Sequence, residues 1–206
     1  MDIDLSKIPT HVLTLHDSAK RYNEFKTNVG CYLNVSPFYG QRYPTIDEGC
    51  YKSSFQLYQT VSPPVLILED DVNISTHFSQ ILKNVPDDAD VLYLGTSAWG
   101  TKNNTSAFKN LHIEKYSDDY YRVKRMTTTH AILFLSNRFW SNMMQVLSEN
   151  INNVPIEPVD VHIGRLHDNF NVYAVAKPMF YQNTPYNDYL TSYPLEDIYK
   201  EFQSQS

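Results

Sequence analysis

The segment Val65–Val72, V-L-I-L-E-D-D-V, constrains the fold more than any other stretch of the chain. Four consecutive aliphatic residues leave no polar side to turn towards water, so a strand built from them is covered on both faces, as in the core of an α/β sheet. Pro63 and Pro64 end any helix that would run into it. Glu69, Asp70 and Asp71 follow without a spacer, so their mutually repelling charges stand at the mouth of the sheet.

The neighbouring sequence keeps supplying alternating strands and helices. Ile8–Leu15 reads as a buried strand, Asp17–Asn28 as a helix with Ala19, Tyr22 and Phe25 on one side, and Cys31–Val35 as a second strand before a loop over Ser36–Pro44. Thr45 followed by Glu48 matches a capping box that opens a helix to about Gln59. A helix is expected from Ser75 to Asn84, a strand at Val91–Leu94, and a polar loop or flap over Gly95–Asn110. Ile113–Tyr116 and Tyr121–Lys124 read as a hairpin, Ala131–Leu135 as a strand, and Ser136 as the cap of a helix bearing Phe139, Trp140 and Met143. A short helix over Asp160–His167, a strand over Val172–Ala176 and a terminal helix over Leu195–Phe202 complete the reading. The expectation is an α/β fold with a mixed, mostly parallel central sheet flanked by helices. Ligands of such sheets bind at the carboxyl ends of the strands, where strand order reverses.

The 206 residues fit one domain, 1–206, and the polar end Glu201–Ser206 resembles the start of a linker, as in a domain excised from a longer protein. A net charge of −6 argues against nucleic acid as a partner, because phosphate neutralisation needs clustered Lys and Arg. No apolar run reaches the ~20 residues of a transmembrane helix, and Met1–Thr10 lacks the features of a signal peptide. The expected location is therefore cytoplasmic, with Cys31 and Cys50 as reduced thiols and the sequons at Asn34, Asn73 and Asn103 unmodified.

Clustered carboxylates at a strand end have two readings. They cap the next element in solvent, or they face a hard divalent cation, Mn²⁺ or Mg²⁺, which takes oxygen ligands and shares them with a substrate diphosphate. Asp160, after Pro158, likewise reads as a helix cap or as a base. Lys124, Arg125 and Arg165 read as surface charge or as diphosphate partners.

The ordered set Glu48, Gly49, Cys50, Ser53, then Leu68, Glu69, Asp70, Asp71 and Val72, resembles glycosyltransferase family 25, the enzymes of lipooligosaccharide synthesis and collagen galactosylation. Val12–Leu15 with Arg21, Thr129–Ser136, Pro158-Val159-Asp160, Pro178 and Gln182 extend the likeness over most of residues 8–182. Glycosyltransferase domains of large algal viruses are similar in size and motif type, which would make the compartment a host cytoplasm. Ser54 stands where the family carries His, and Thr14 where it carries Asn.

The resemblance implies a GT-A fold, which is Rossmann-like, and a metal-dependent, inverting transfer of a hexose or rhamnose from a UDP-sugar to a glycan or glycoconjugate. Asp71 would bind the metal with support from Glu69 or Asp70; His162 and His167, beyond the resemblance, read either as structural histidines or as further ligands completing that site. Leu15, His16, Asp17, Arg21, Glu69 and Asp70 would hold the nucleotide, with uracil stacked on Tyr43, and Asp160 would be the catalytic base. A catalytically silent nucleotide-sugar or carbohydrate-binding module of the same fold is the alternative.

Overall fold

The computed structural model describes residues 1–96 and 112–182. An eight-stranded sheet runs in the order β3 (Val35–Gly40), β2 (Thr10–Leu15), β4 (Val65–Glu69), β10 (Ala131–Phe134), β7 (Val91–Tyr93), β11 (Val172–Val175), β9 (Tyr120–Lys124) and β8 (His112–Lys115). β2 pairs in parallel with β3 and β4, and β7 with β11, whereas β10 and β9 run opposite to their neighbours. Six of the eight strands thus point one way, which is the mixed, mostly parallel sheet expected from the alternating pattern.

The aliphatic runs divide residue by residue between two layers. Val65 and Ile67 of β4, Val91 and Tyr93 of β7, and Ile132 and Phe134 of β10 share a core with α2 (Ile46–Tyr58), α3 (Asn137–Asn150) and α4 (Val159–Leu166). Leu66, Leu68, Leu92, Leu94, Ala131 and Leu133 join Phe25 and Val29 from α1 (Ala19–Asn28) and its end on the other face. Each buried Leu, Ile or Val contributes about 1.5–3 kcal/mol, so a one-residue slip of β4, which would exchange its two sets, is strongly disfavoured.

Helix starts follow their caps. Thr45 Oγ1 accepts from the Glu48 N–H at 3.2 Å and Ser136 Oγ from the Phe139 N–H at 3.2 Å. The capping box at Thr45 is only half built, because the Glu48 carboxylate pairs with Lys52 at 2.7 Å.

Two expected elements are displaced. The second strand occupies Val35–Gly40 rather than Cys31–Val35, so most of the expected loop is strand, registered from Thr10↔Val35 to Leu15↔Gly40. As an edge strand, β3 accommodates Pro37, since half of its N–H groups face no neighbour. No helix opens at Ser75. Its hydroxyl donates to the Pro178 carbonyl at 2.5 Å and its N–H to Met179 at 2.9 Å, which ties it to β12 (Phe180–Gln182). The chain there forms β5 (Val72–Ile74), antiparallel to β12, and β6 (Ile81–Leu82), which pairs with β1 (Ile3–Asp4). The expected terminal helix and all of the expected flap except Gly95 and Thr96 lie outside the described residues.

Gly95, just after β7, is packed without slack. A Cβ there would lie 2.1 Å from Nε2 of the buried His130 ring and 2.8 Å from the Phe180 carbonyl oxygen.

Candidate active site

From β2 the chain crosses to β3 on one side of it and returns to β4 on the other, so strand order reverses between the carboxyl ends of β2 and β4. Such a switch point opens a crevice for ligands. Thr14, Arg21 and the three acids after Leu68 meet there, but each acid has a different environment.

Asp70 is closed off. It is buried, accepts a 2.6 Å hydrogen bond from Thr14 Oγ1 on one oxygen, and on the other forms an ion pair with Arg21 of α1. The pair fastens the α1 entrance to the end of β4. Glu69 is equally occupied. Thr129 Oγ1 lies 2.6 Å from Oε1, and Gln182 Nε2 donates to Oε2 at 3.2 Å. The surrounding protein, then the charges of Asp71, Asp160 and Asp70, raise its carboxyl well above the ordinary carboxylate range, against the Thr129 hydrogen bond.

Asp71 differs: its Oδ1 is buried with no hydrogen-bond partner. Burial raises its pKa, with Asp70 adding to the shift, while Arg21 and the nearby Gln182 amide oppose it. Asp160, in the first turn of α4, also has a buried, unpartnered Oδ1, and burial followed by the charge of Asp47 raises its pKa. It is not the helix cap, since Pro158 holds that position. Cys50 touches solvent yet stands at the mouth of this acidic recess: surrounding protein and the charges of Glu69, Asp160, Asp47 and Asp71 push its thiol up to about 11.

The remaining expected residues divide into near and far. Leu15 ends β2, and exposed His16 follows it with its ring stacked on Tyr39 at 4.1 Å and 6°. Asp17 is exposed and pairs with Arg42 at 2.5 Å. Tyr43 carries Lys52 over its ring at 5.0 Å. His162 is turned into the helix interface instead of towards Asp71: it meets Tyr51 edge-on, and its Nε2 lies 3.6 Å from Glu157. Arg165 is taken by the same Glu157 and Arg125 by Asp168. Ser54 is buried inside α2 and hydrogen-bonds to Tyr58.

Thr129, Gln182 and Tyr39 join the site although no local sequence signal gives them a role there. Thr129 precedes β10 and Gln182 ends β12, so both reach Glu69 from distant sequence. Tyr39 falls in the stretch expected as loop, and strand register places it opposite Thr14.

A divalent cation can be tested against these groups. Among the described residues, no group of three His, Cys, Asp or Glu side chains is arranged to hold a metal ion. The unpartnered oxygen of Asp71, amid repelling carboxylates, nevertheless fits an ion that takes one or two protein carboxylates and completes its shell with diphosphate oxygens.

A doubly covered α/β sheet with clustered carboxylates at its switch point has the architecture in which ligands meet the carboxyl ends of the strands. The model of glycosyltransferase family 25 (LPS biosynthesis protein) matches residues 44–160, more than half of the chain and the span containing α2, Glu69–Asp71 and Asp160. The chain belongs to this family, and it is an enzyme that transfers a sugar. No curated protein matches it. No helix among the described residues is long and apolar enough to cross a membrane.

Proposed function

We propose that the chain is a GT-A type transferase that moves a hexose or rhamnose from a UDP-sugar to a hydroxyl of a glycan or glycoconjugate, with inversion and with Mn²⁺ or Mg²⁺ bound at Asp71. The observation that carries this reading is the pair of buried, unpartnered carboxylate oxygens, Asp71 Oδ1 and Asp160 Oδ1, in one acidic recess at the switch point. Buried polar atoms without partners are rare in folded proteins, and a bound ligand is one explanation for them.

Asp160 accepts the acceptor hydroxyl's proton as its oxygen attacks the anomeric carbon, the sugar–phosphate C–O bond breaks, and UDP leaves. The raised pKa of Asp160 makes it a stronger base than an exposed carboxylate. Asp71 would hold the cation, whose chemistry there would be to neutralise charge on the departing diphosphate. Arg21, held in place by Asp70 but half-exposed, faces the same diphosphate. The stacked His16–Tyr39 pair at the ends of β2 and β3 offers uracil a flatter and more open platform than Tyr43, which Lys52 covers.

Isothermal titration of UDP with and without Mn²⁺, on the native chain and on Asp71→Asn, tests the binding half. Binding that needs both Mn²⁺ and Asp71 is expected, and metal-independent binding would remove the cation from the reading. A panel of UDP-sugars with detection of free UDP tests transfer. Tight binding with no turnover of any donor would leave a silent binding module.

A further inference from the structure

Of the three consecutive acids, only Asp71 has a buried oxygen without a hydrogen-bond partner, and two residues outside the acidic motif occupy the neighbouring Glu69. Thr129 lies just before β10 and Gln182 ends β12, strands that meet β4 and β5 in antiparallel fashion, so the backbone fixes both positions. The Glu69 N–H donates to the His130 carbonyl at 3.0 Å, and Gln182 is paired with Val72. Their side chains take one oxygen of Glu69 each.

Resting on the reading above, we propose that Thr129 and Gln182 are positioning residues for donor binding. By engaging both oxygens of Glu69 they keep its carboxylate fixed and out of the cation's coordination, so that the cation meets the unpartnered Asp71 oxygen beside the donor diphosphate. Glu69 then acts as a buttress between two donors and not as a ligand. The groups orienting a metal's ligands typically change its affinity about 10–100-fold when removed.

The test uses the full chain, with Mn²⁺ as a paramagnetic probe titrated in the presence of UDP, and with thermal melts recorded in parallel. Thr129→Val removes the hydroxyl at nearly constant shape, and Gln182→Met removes the amide from a half-exposed strand end, so both variants are expected to fold. Each should weaken UDP-dependent Mn²⁺ binding about 10–100-fold, while Thr129→Ser, which keeps the hydroxyl, should restore it to within about 3-fold. A structural role alone would lower the melting temperature and leave Mn²⁺ affinity unchanged. Native affinity in both Thr129→Val and Gln182→Met overturns the inference, as does equal weakening in Thr129→Ser and Thr129→Val. Failure of the native chain to bind Mn²⁺ with UDP overturns the proposed function itself, and the inference with it.

Discussion

Two aspartates at opposite edges of the same sheet show how a structural carboxylate differs from one kept for a ligand. Asp90 precedes β7 at its amino end, is buried, and accepts from the Asn171 N–H at 3.0 Å and from Arg138 at 3.1 Å. Its own carbonyl accepts from Leu135 and Ser136, and its N–H donates to Asn171. Asp71, after β4 at the carboxyl edge, keeps a buried oxygen with no partner. Burial alone does not separate the two. Satisfaction does, because an unsatisfied buried acceptor lowers stability unless something outside the chain completes it.

Substitutions at each edge put this contrast to the test. The largest effect is expected for Asp160→Asn, where loss of the base lowers the transfer rate about 10²–10⁴-fold while Mn²⁺-dependent UDP binding persists; unchanged turnover would exclude Asp160 as base. Asp71→Asn comes next, with transfer down about 10²–10³-fold and cation-dependent binding gone, yet with a melting temperature equal to or above the native value because a repelling charge has been removed. Asp90→Ala should do the reverse. It exposes an unpaired Asn171 N–H at a cost of about 1–3 kcal/mol, seen as a lower melting temperature, with UDP binding retained. If Asp90→Ala abolished binding as fully as Asp71→Asn, the division between the two edges would fail.

The smallest effect is expected in pH dependence, where buried histidines add a third kind of polar group. Burial pushes His130 down to about 4 and His167 to about 3, so both are neutral in the fold. Their folded values lie below the unfolded one of about 6.5. The unfolded chain therefore binds more protons in acid, and stability present above pH 6.5 falls as pH drops towards 4. Glu69 has the opposite sign: its raised carboxyl contributes stability that is full below about 4.5 and lost as pH rises through its folded value. Denaturant midpoints measured from pH 4 to 8 should fall below 6.5, and Glu69→Gln should flatten the decline on the alkaline side. A midpoint that stays constant between 6.5 and 4 in Glu69→Gln as well, where the largest opposing group is gone, would contradict two neutral interior imidazoles.

Most of the fold was legible because its signals are local. Val65–Leu68, Val91–Leu94 and Ala131–Leu135 are uninterrupted apolar runs, and Thr45 and Ser136 cap the helices that they precede. Cys31–Val35 failed as a strand because edge position and register against β2, neither visible in sequence, moved it forward. Ser75 failed as a helix cap because its hydroxyl found Pro178, 103 residues away. The site divides in the same way. Glu69, Asp70, Asp71 and Asp160 were readable as acids next to strand or helix ends, but which oxygens stay open depends on Thr14, Arg21, Thr129 and Gln182. Thr129 is a particular case: since β10 runs against its neighbours, it delivers its beginning to the recess, where a search of strand carboxyl ends does not look.

The tight packing at Gly95 sets a limit on sequence variation. His130 is walled in and cannot swing away, and the other obstacle to a Cβ is main chain, so compensating changes have almost nowhere to occur. In a saturation library, position 95 would therefore accept a single letter of the alphabet on grounds of space alone. Such a position has the profile of a catalytic residue in a tolerance map, and only its contacts reveal that its constraint is one of space.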